Sequence, residues 1–111
     1  MRYQIIISSQ AETDLRGIFE YIAYELKSVQ NAVGQLNRLE ESIFSLNQMP
    51  ERFRRYSREP WHSRGLRVMP VDHYLVFYIP NHDEKSVGIV RVMYGGRDIG
   101  VQLESLAPSE S

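Results

Sequence analysis

Arginines alternate with aromatic residues in one short segment of the chain, residues 51–64. Arginine binds phosphate or carboxylate with paired hydrogen bonds, and aromatic rings offer stacking surfaces. Residues 51–67 hold six arginines against two glutamates, although the whole chain has a formal net charge of −1. The segment predicts contact with an anionic partner; a solvated surface loop is the alternative. The candidate contact residues are Arg52, Arg54, Arg55, Arg58, Trp61 and Arg64. Trp61 is either a partner contact or, as we favour, a core anchor, because exposed tryptophan is uncommon.

A second group of reactive side chains lies near the last strands of the predicted sheet. His73 follows Asp72 in a predicted turn, and an imidazole that titrates near neutral pH could transfer protons. Tyr94 is followed by two glycines, Gly95-Gly96, whose tolerance of positive φ lets the chain change direction. This change would present Arg97 and Asp98 at the end of the sheet. A turn residue beside Asp72 is the alternative role for His73.

Composition excludes several kinds of site. The chain has no cysteine, and its three scattered histidines lack the spacing of metal ligands. We therefore expect no metal and no cofactor. No apolar stretch is long enough to cross a bilayer or to form the core of a signal peptide, so we expect no membrane association and a cytoplasmic location. A length of 111 residues predicts one domain, residues 1–100, with a C-terminal tail at 101–111.

Runs rich in valine, isoleucine, tyrosine and phenylalanine predict four strands. The predicted strands are residues 3–7, 66–69, 74–79 and 87–94. Five polar residues join the last two strands, as in a β-hairpin. Pro70 is expected to end the second strand before a tight turn of Val71-Asp72-His73. After Asp98, residues 99–106 predict a short turn or a strand extension.

Two apolar stripes with helical spacing lie between the first and second strands. One begins at Ala11 and the other at Val29, and Ser9 and Glu12 have the spacing of a capping box ahead of the first. The break at Lys27-Ser28 is so short that the two helices must form an antiparallel hairpin. We expect everything before Gly65 to cover one face of the sheet. The fold class is α+β, with order β-α-α-β-β-β and an antiparallel (mixed) four-stranded sheet covered on one face by a helical hairpin.

This element order, with Gly65-Leu66-Arg67-Val68, the strand at 74–78 and the ending Tyr94-Gly95-Gly96-Arg97-Asp98, resembles the RelE/ParE superfamily of bacterial type II toxins. The likeness covers residues 2–99. It implies a small toxin that a cognate antitoxin, encoded beside it, neutralises. RelE-like members are ribosome-dependent mRNA endonucleases, whereas ParE-like members poison DNA gyrase without chemistry of their own.

The resemblance also suggests roles for particular residues. In RelE-like toxins, basic residues on the second and third strands and an arginine after the last strand surround the phosphate; Arg67 and Arg97 match two of these positions. Leu75 occupies the position of the basic residue on the third strand. RelE-like toxins also often have a tyrosine in the C-terminal tail, but no tyrosine follows Tyr94 here. His73, Tyr74, Tyr94 or Asp98 would then transfer protons.

Structural pairing of Arg67 or Arg97 with Asp72 or Asp98 is the alternative to these catalytic roles. The ending of the last strand is closer to ParE-like toxins, where a histidine often stands at the position of Tyr94. We therefore favour a ParE-like toxin that binds gyrase. An mRNA endonuclease acting on the ribosome and a nontoxic interaction module are the alternatives.

Overall fold

The computed structural model describes residues 2–96 and 99–104. The elements, in chain order, are β1 (Gln4–Ile7), α1 (Ser9–Glu20), α2 (Val29–Phe44), β2 (Arg67–Val71), β3 (Tyr74–Asn81), β4 (Ser86–Tyr94) and α3 (Ile99–Glu104). A π-helical turn, Tyr21–Glu25, extends α1, and two 3₁₀ turns, Ser45–Asn47 and Pro50–Arg52, follow α2. The strand order is β1-β4-β3-β2, with β1 parallel to β4 and the other pairs antiparallel. The predicted α+β fold with a mixed four-stranded sheet is confirmed.

The first helix begins one residue earlier than its sequence signal indicates. Ser8 is the N-cap, and its hydroxyl oxygen accepts a hydrogen bond from the amide of Ala11 at 3.0 Å. The same hydroxyl donates to the carbonyl of Val90 at 3.0 Å, which ties the junction of β1 and α1 to β4. The predicted capping box from Ser9 was wrong: the contact with β4 selects Ser8 as the cap, although the third residue after it is Ala11 and offers no reciprocal glutamate.

Strand β2 contains Pro70 rather than ending at it. The strand lies at the edge of the sheet, and the amide of Val68 donates outward to the carbonyl of Arg54 at 3.1 Å. Alternation along the strand places the Pro70 nitrogen on the same outer side, where its missing hydrogen removes no bond to β3. The turn is therefore confined to Asp72 and His73, with Asp72 at a φ of 56°.

Both faces of the sheet are covered. The helices α1 and α2 pack over one face, against side chains that include Val76 and Tyr78. On the opposite face, Trp61 packs with Phe77 and with Leu103 of α3. The expectation that everything before Gly65 covers one face was therefore wrong for this part of the loop. Because the alternating side chains of β2, β3 and β4 are apolar on both sides, each face needs a covering layer.

The residues after the sheet form a helix rather than the predicted turn or strand extension. Its residue Leu103 is 1% exposed, and the helix spans residue 100, where we place the end of the domain. Six residues are too few for the sequence to show a helical period. Within the described ranges, no helix has both the length and the apolar character needed to cross a membrane.

Tyr78 gives the core a measurable dependence on pH. Its phenol is fully buried and donates a hydrogen bond to the carbonyl of Pro50 at 2.6 Å. Burial raises the pKa of Tyr78 from 10.0 to about 12. Because the folded-state pKa is the higher one, its contribution to folding stability is complete below about pH 10 and is lost as the pH rises toward 12.

We expect Tyr78→Phe to lower the free energy of unfolding at neutral pH by about 1 kcal/mol, since a buried hydrogen bond is lost. The variant should also lose less stability than the parent protein at alkaline pH, because phenylalanine has no proton to release. Urea denaturation of both proteins at neutral pH and at about pH 11 measures this difference. The same difference in free energy of unfolding between the two proteins at both pH values would contradict a raised pKa for the buried phenol of Tyr78.

Candidate functional site

An open cleft separates the helical hairpin from one end of the sheet, where the β2–β3 turn and the end of β4 lie together. Its volume is about 980 Å³, at the upper end of the range of ligand sites. The lining includes Gly17, Tyr21, Gly34, His73, Tyr74 and Tyr94. The fold thus brings together two of the predicted site residues, His73 and Tyr94.

Three tyrosines form the aromatic part of the cleft. The rings of Tyr74 and Tyr94 meet edge to face, with centroids 5.9 Å apart. Burial raises the pKa of Tyr74, and the nearby phenols of Tyr21 and Tyr94 raise it further. The phenol of Tyr74 is therefore protonated at neutral pH and suits hydrogen-bond donation rather than proton abstraction.

The glycine pair after β4 lies close to neighbouring atoms. The amide of Gly95 donates to the carbonyl of His73 at 2.9 Å, and an added Cβ at Gly95 would lie 3.3 Å from that oxygen. A Cβ at Gly96 would lie 2.7 Å from the ring of Tyr94. The positive φ that we expected of this pair occurs instead at Gly65, with a φ of 85°. Close approach to a backbone oxygen, not backbone angle, explains Gly95, whereas a side chain at Gly96 would require the exposed ring of Tyr94 to move.

The main charges of the cleft are paired within the protein. Asp14 accepts two hydrogen bonds from the guanidinium of Arg91, at 2.7 and 2.9 Å, and a third from the amide of Val92 at 2.9 Å. On the rim, Asp72 accepts hydrogen bonds from Arg38 and Gln35, at 2.8 and 2.9 Å. The bond from Arg38, followed by that from Gln35, lowers the pKa of Asp72. These pairs leave the cleft with little net charge.

Arg67 lies at the other end of β2 from His73. Four residue steps of extended strand, from Arg67 to Val71, span about 13 Å at about 3.3 Å per residue, and the turn that holds His73 follows. The guanidinium of Arg67 donates to the carbonyls of Glu51 and Phe53, at 3.1 and 2.7 Å, and so holds the loop after α2. The structure does not place Arg67 with His73 and Tyr94, and its partners are carbonyls rather than Asp72. Arg97 and Asp98 lie outside the described residues.

Three of the six candidate contact residues in the segment, Arg52, Trp61 and Arg64, have structural roles. Arg52 donates to the carbonyls of Ser45, Gln48 and Met49, which closes the end of α2, and it lies over the ring of Phe53. Trp61 is 7% exposed and packs in the apolar cluster on the face of the sheet opposite the helical hairpin. The guanidinium of Arg64 lies 5.4 Å from the centroid of its ring. In this conformation the indole of Trp61 is not accessible to a partner.

The other three arginines, Arg54, Arg55 and Arg58, are exposed and make no side-chain hydrogen bond or ion pair with the described residues. Their backbone is nevertheless fixed. The amide of Tyr56 donates to the carbonyl of Leu66 at 2.8 Å. The backbone of Arg55 also forms an isolated antiparallel β-bridge with that of Arg67, along the outer edge of β2. The segment therefore presents three available guanidinium groups from an anchored backbone. We call these three residues the free arginines.

Sequence reasoning missed the charged pairs beside the cleft. Asp14 and Arg91 are separated by 77 residues, and Arg38 and Asp72 by 34. In the sequence, Asp14 and Arg38 are ordinary polar residues of amphipathic helices, and Arg91 interrupts an apolar strand. That interruption is the one available signal, since an arginine in a buried strand requires a partner. Among the described residues, no group of histidine, aspartate and glutamate side chains could hold a metal ion.

The fold and the order of its elements are similar to those of solved chains from ParE and RelE toxin systems. A chain of the chromosomal ParDE toxin–antitoxin system from P. aeruginosa superposes with a TM-score of 0.70, at 18% identity over 84% of this chain and 96% of that chain. The RelBE2 complex from Mycobacterium tuberculosis gives a TM-score of 0.63, at 21% identity over 85% and 99% of the chains. A variant of the E. coli toxin RelE gives 0.63, at 12% identity over 96% and 100%.

The sequence shows to which family the chain belongs. Residues 5–99 match the family described as the ParE toxin of the type II toxin–antitoxin system parDE. This chain belongs to that family. No curated protein matches it significantly in sequence. The predicted membership of the RelE/ParE superfamily, on its ParE-like branch, is confirmed.

Proposed function

We propose that this protein inhibits bacterial growth by binding DNA gyrase in the cytoplasm, and that a cognate antitoxin neutralises it. The observation that carries the proposal is the match of residues 5–99 to the ParE toxin family. Likeness of fold does not choose between targets, because ParE and RelE structures are both similar to this one. The choice between a gyrase poison and a nuclease must come from the residues.

The positions of the charged side chains favour binding over catalysis. An RNA-cleaving site needs cations and proton-transfer groups around one phosphate. Arg67 instead holds two loop carbonyls, about 13 Å of extended strand away from the turn that holds His73. A poison that only binds its target needs no such assembly. The cleft and the free arginines offer two binding surfaces of different character, one nearly neutral and the other basic.

An mRNA endonuclease of the RelE type is the second candidate, because His73 and Tyr94 share one cleft. In that function His73 or Tyr94 would transfer a proton, and Arg97 would supply the cation.

Two assays with the purified protein separate the candidates. For a gyrase poison we expect stalled gyrase–DNA complexes with supercoiled plasmid, and intact message in a purified translation system. Cleavage of mRNA at the ribosomal A site, weakened roughly 10²–10³-fold by Arg97→Ala, would identify a nuclease and overturn the gyrase proposal. Absence of both activities, with tolerance of high expression, would indicate a nontoxic interaction module.

The antitoxin is expected to dock as an amphipathic helix or an added strand across the helical hairpin and the sheet edge, partly covering residues 51–67. An acidic segment suits the free arginines. Several solved relatives are themselves toxin–antitoxin complexes. A small repressor-like reading frame beside the gene would identify this partner.

A further inference from the structure

We propose that Tyr3 is an activated phenol that accepts a phosphoryl group from an electrophilic phosphoryl donor. Tyr3 precedes β1, whose parallel pairing with β4 starts at Ser86. The cleft lies beside the other end of β4, near Tyr94. The proposed site is therefore separate from the cleft, and it does not depend on the gyrase proposal.

Three side chains form a row of close polar contacts at this site, a hydrogen bond from Tyr3 to His82 and an ion-pair contact from His82 to Glu51. The Tyr3 Oη lies 2.7 Å from Nδ1 of His82, and Nε2 of His82 lies 2.8 Å from Oε2 of Glu51. An ionised carboxylate only accepts hydrogen bonds, so its position beside Nε2 favours the neutral tautomer with the proton on that nitrogen. Nδ1 is then the acceptor of the phenol proton. This is the order of nucleophile, base and orienting carboxylate found in sites of covalent catalysis.

The backbone holds the three residues in place, although they are far apart in the sequence. The amide of Tyr3 donates to the carbonyl of Asn47 at 2.8 Å. Glu51 lies in the second 3₁₀ turn, and its carbonyl accepts a hydrogen bond from Arg67 at 3.1 Å. The side chains of His82 and Glu51 are 51% and 48% exposed, so a reagent from solvent can reach the row.

A cation beside the phenol favours a phosphoryl donor. The Nζ of Lys85 lies 6.0 Å from the centroid of the Tyr3 ring, close enough to balance negative charge that develops during transfer. In the transfer step, a bond forms between Tyr3 Oη and phosphorus, and the bond from phosphorus to the leaving group breaks. The leaving group departs with its electron pair. The phenol proton moves to Nδ1 of His82 and then to water.

The chain contains its own controls. Tyr21, Tyr24 and Tyr94 are 54%, 68% and 51% exposed. None of their hydroxyls forms a hydrogen bond within the described part of the chain, so they lack a base. Exposure alone predicts that Tyr24 reacts fastest, whereas activation by His82 predicts that Tyr3 does.

The test uses the full chain and a dialkyl fluorophosphate, with adducts located by mass spectrometry of peptides. In this reaction the bond from phosphorus to fluorine breaks and fluoride leaves. We expect Tyr3 to be labelled at least about tenfold faster than Tyr24, since a positioned base contributes roughly 10²–10⁴-fold. His82→Gln should reduce the rate at Tyr3 to that of Tyr24. Glu51→Gln, which removes the charge of this positioning residue, should lower it partly, and Glu51→Asp should restore it.

Labelling at Tyr24 and the protection of buried Tyr78 report in the same samples whether each variant is folded. Equal or faster labelling of Tyr24 in the parent protein would overturn the proposal. A rate at Tyr3 that is unchanged in a folded His82→Gln variant would also overturn it.

Discussion

Replacing Arg91 by methionine is expected to lower the free energy of unfolding by about 3–5 kcal/mol, because it leaves a buried carboxylate without its counter-charge. The side chains of Arg91 and Asp14 are 11% and 9% exposed, and two hydrogen bonds join them. Methionine keeps most of the length of the side chain, so the loss reports the charge pair more than the packing. Urea denaturation followed by circular dichroism measures the change.

The chain provides a matched control in Arg38, which forms the same kind of pair with Asp72 at 2.8 Å but is 56% exposed. Exposed ion pairs are worth about 0–1 kcal/mol, so Arg38→Met should change stability little. Replacing both Asp14 and Arg91 by apolar residues should recover part of the loss, since no buried charge then remains. Equal effects of Arg91→Met and Arg38→Met would show that the buried pair is not a main support of the fold.

Replacing the free arginines by serine is expected to slow association with the antitoxin at least tenfold at low salt, since electrostatic steering raises association rates by roughly 10–10³-fold. The three side chains are exposed, and among the described residues they make no hydrogen bond or ion pair that their loss would break. Stability should therefore be almost unchanged. Stopped-flow mixing with the antitoxin measures the association rate over a range of salt concentrations.

The matched control for this experiment removes the same amount of charge elsewhere, as Arg2→Ser, Arg16→Ser and Lys27→Asn. These three residues are also exposed. If the loop steers the partner, the control should have a smaller effect, and added salt should reduce the difference between the parent protein and the loop variant. Equal slowing in both variants, or indifference to salt, would refute a specific electrostatic role for the loop.

The periodic parts of the fold were predictable from the sequence. The stripes that begin at Ala11 and Val29 repeat at helical spacing, and the strands at 74–79 and 87–94 are long and rich in β-branched and aromatic residues. The predictions were wrong mainly about where these helices and strands begin and end. Ser8 rather than Ser9 caps α1, and Pro70 lies within β2. Both outcomes depend on neighbouring strands, which local sequence does not specify.

The arrangement of the site was less predictable. His73 and Tyr94 are brought together because the β2–β3 turn lies beside the end of β4, as the predicted hairpins imply. The separation of Arg67 from them also follows from strand length, but its hydrogen bonds to Glu51 and Phe53 do not. Such contacts depend on how an irregular loop returns to the sheet. The course of such a loop cannot be predicted from a periodic sequence pattern.

The layers on both sides of the sheet limit how a partner can approach. Trp61 and Leu103 shield one side, and the helical hairpin shields the other. A bound macromolecule therefore cannot lie flat on the strands unless one of these layers is displaced. Recognition must therefore use the sheet edge, the loops and the outer surface of the covering layers, so changes in these exposed parts can redirect specificity without disturbing the core.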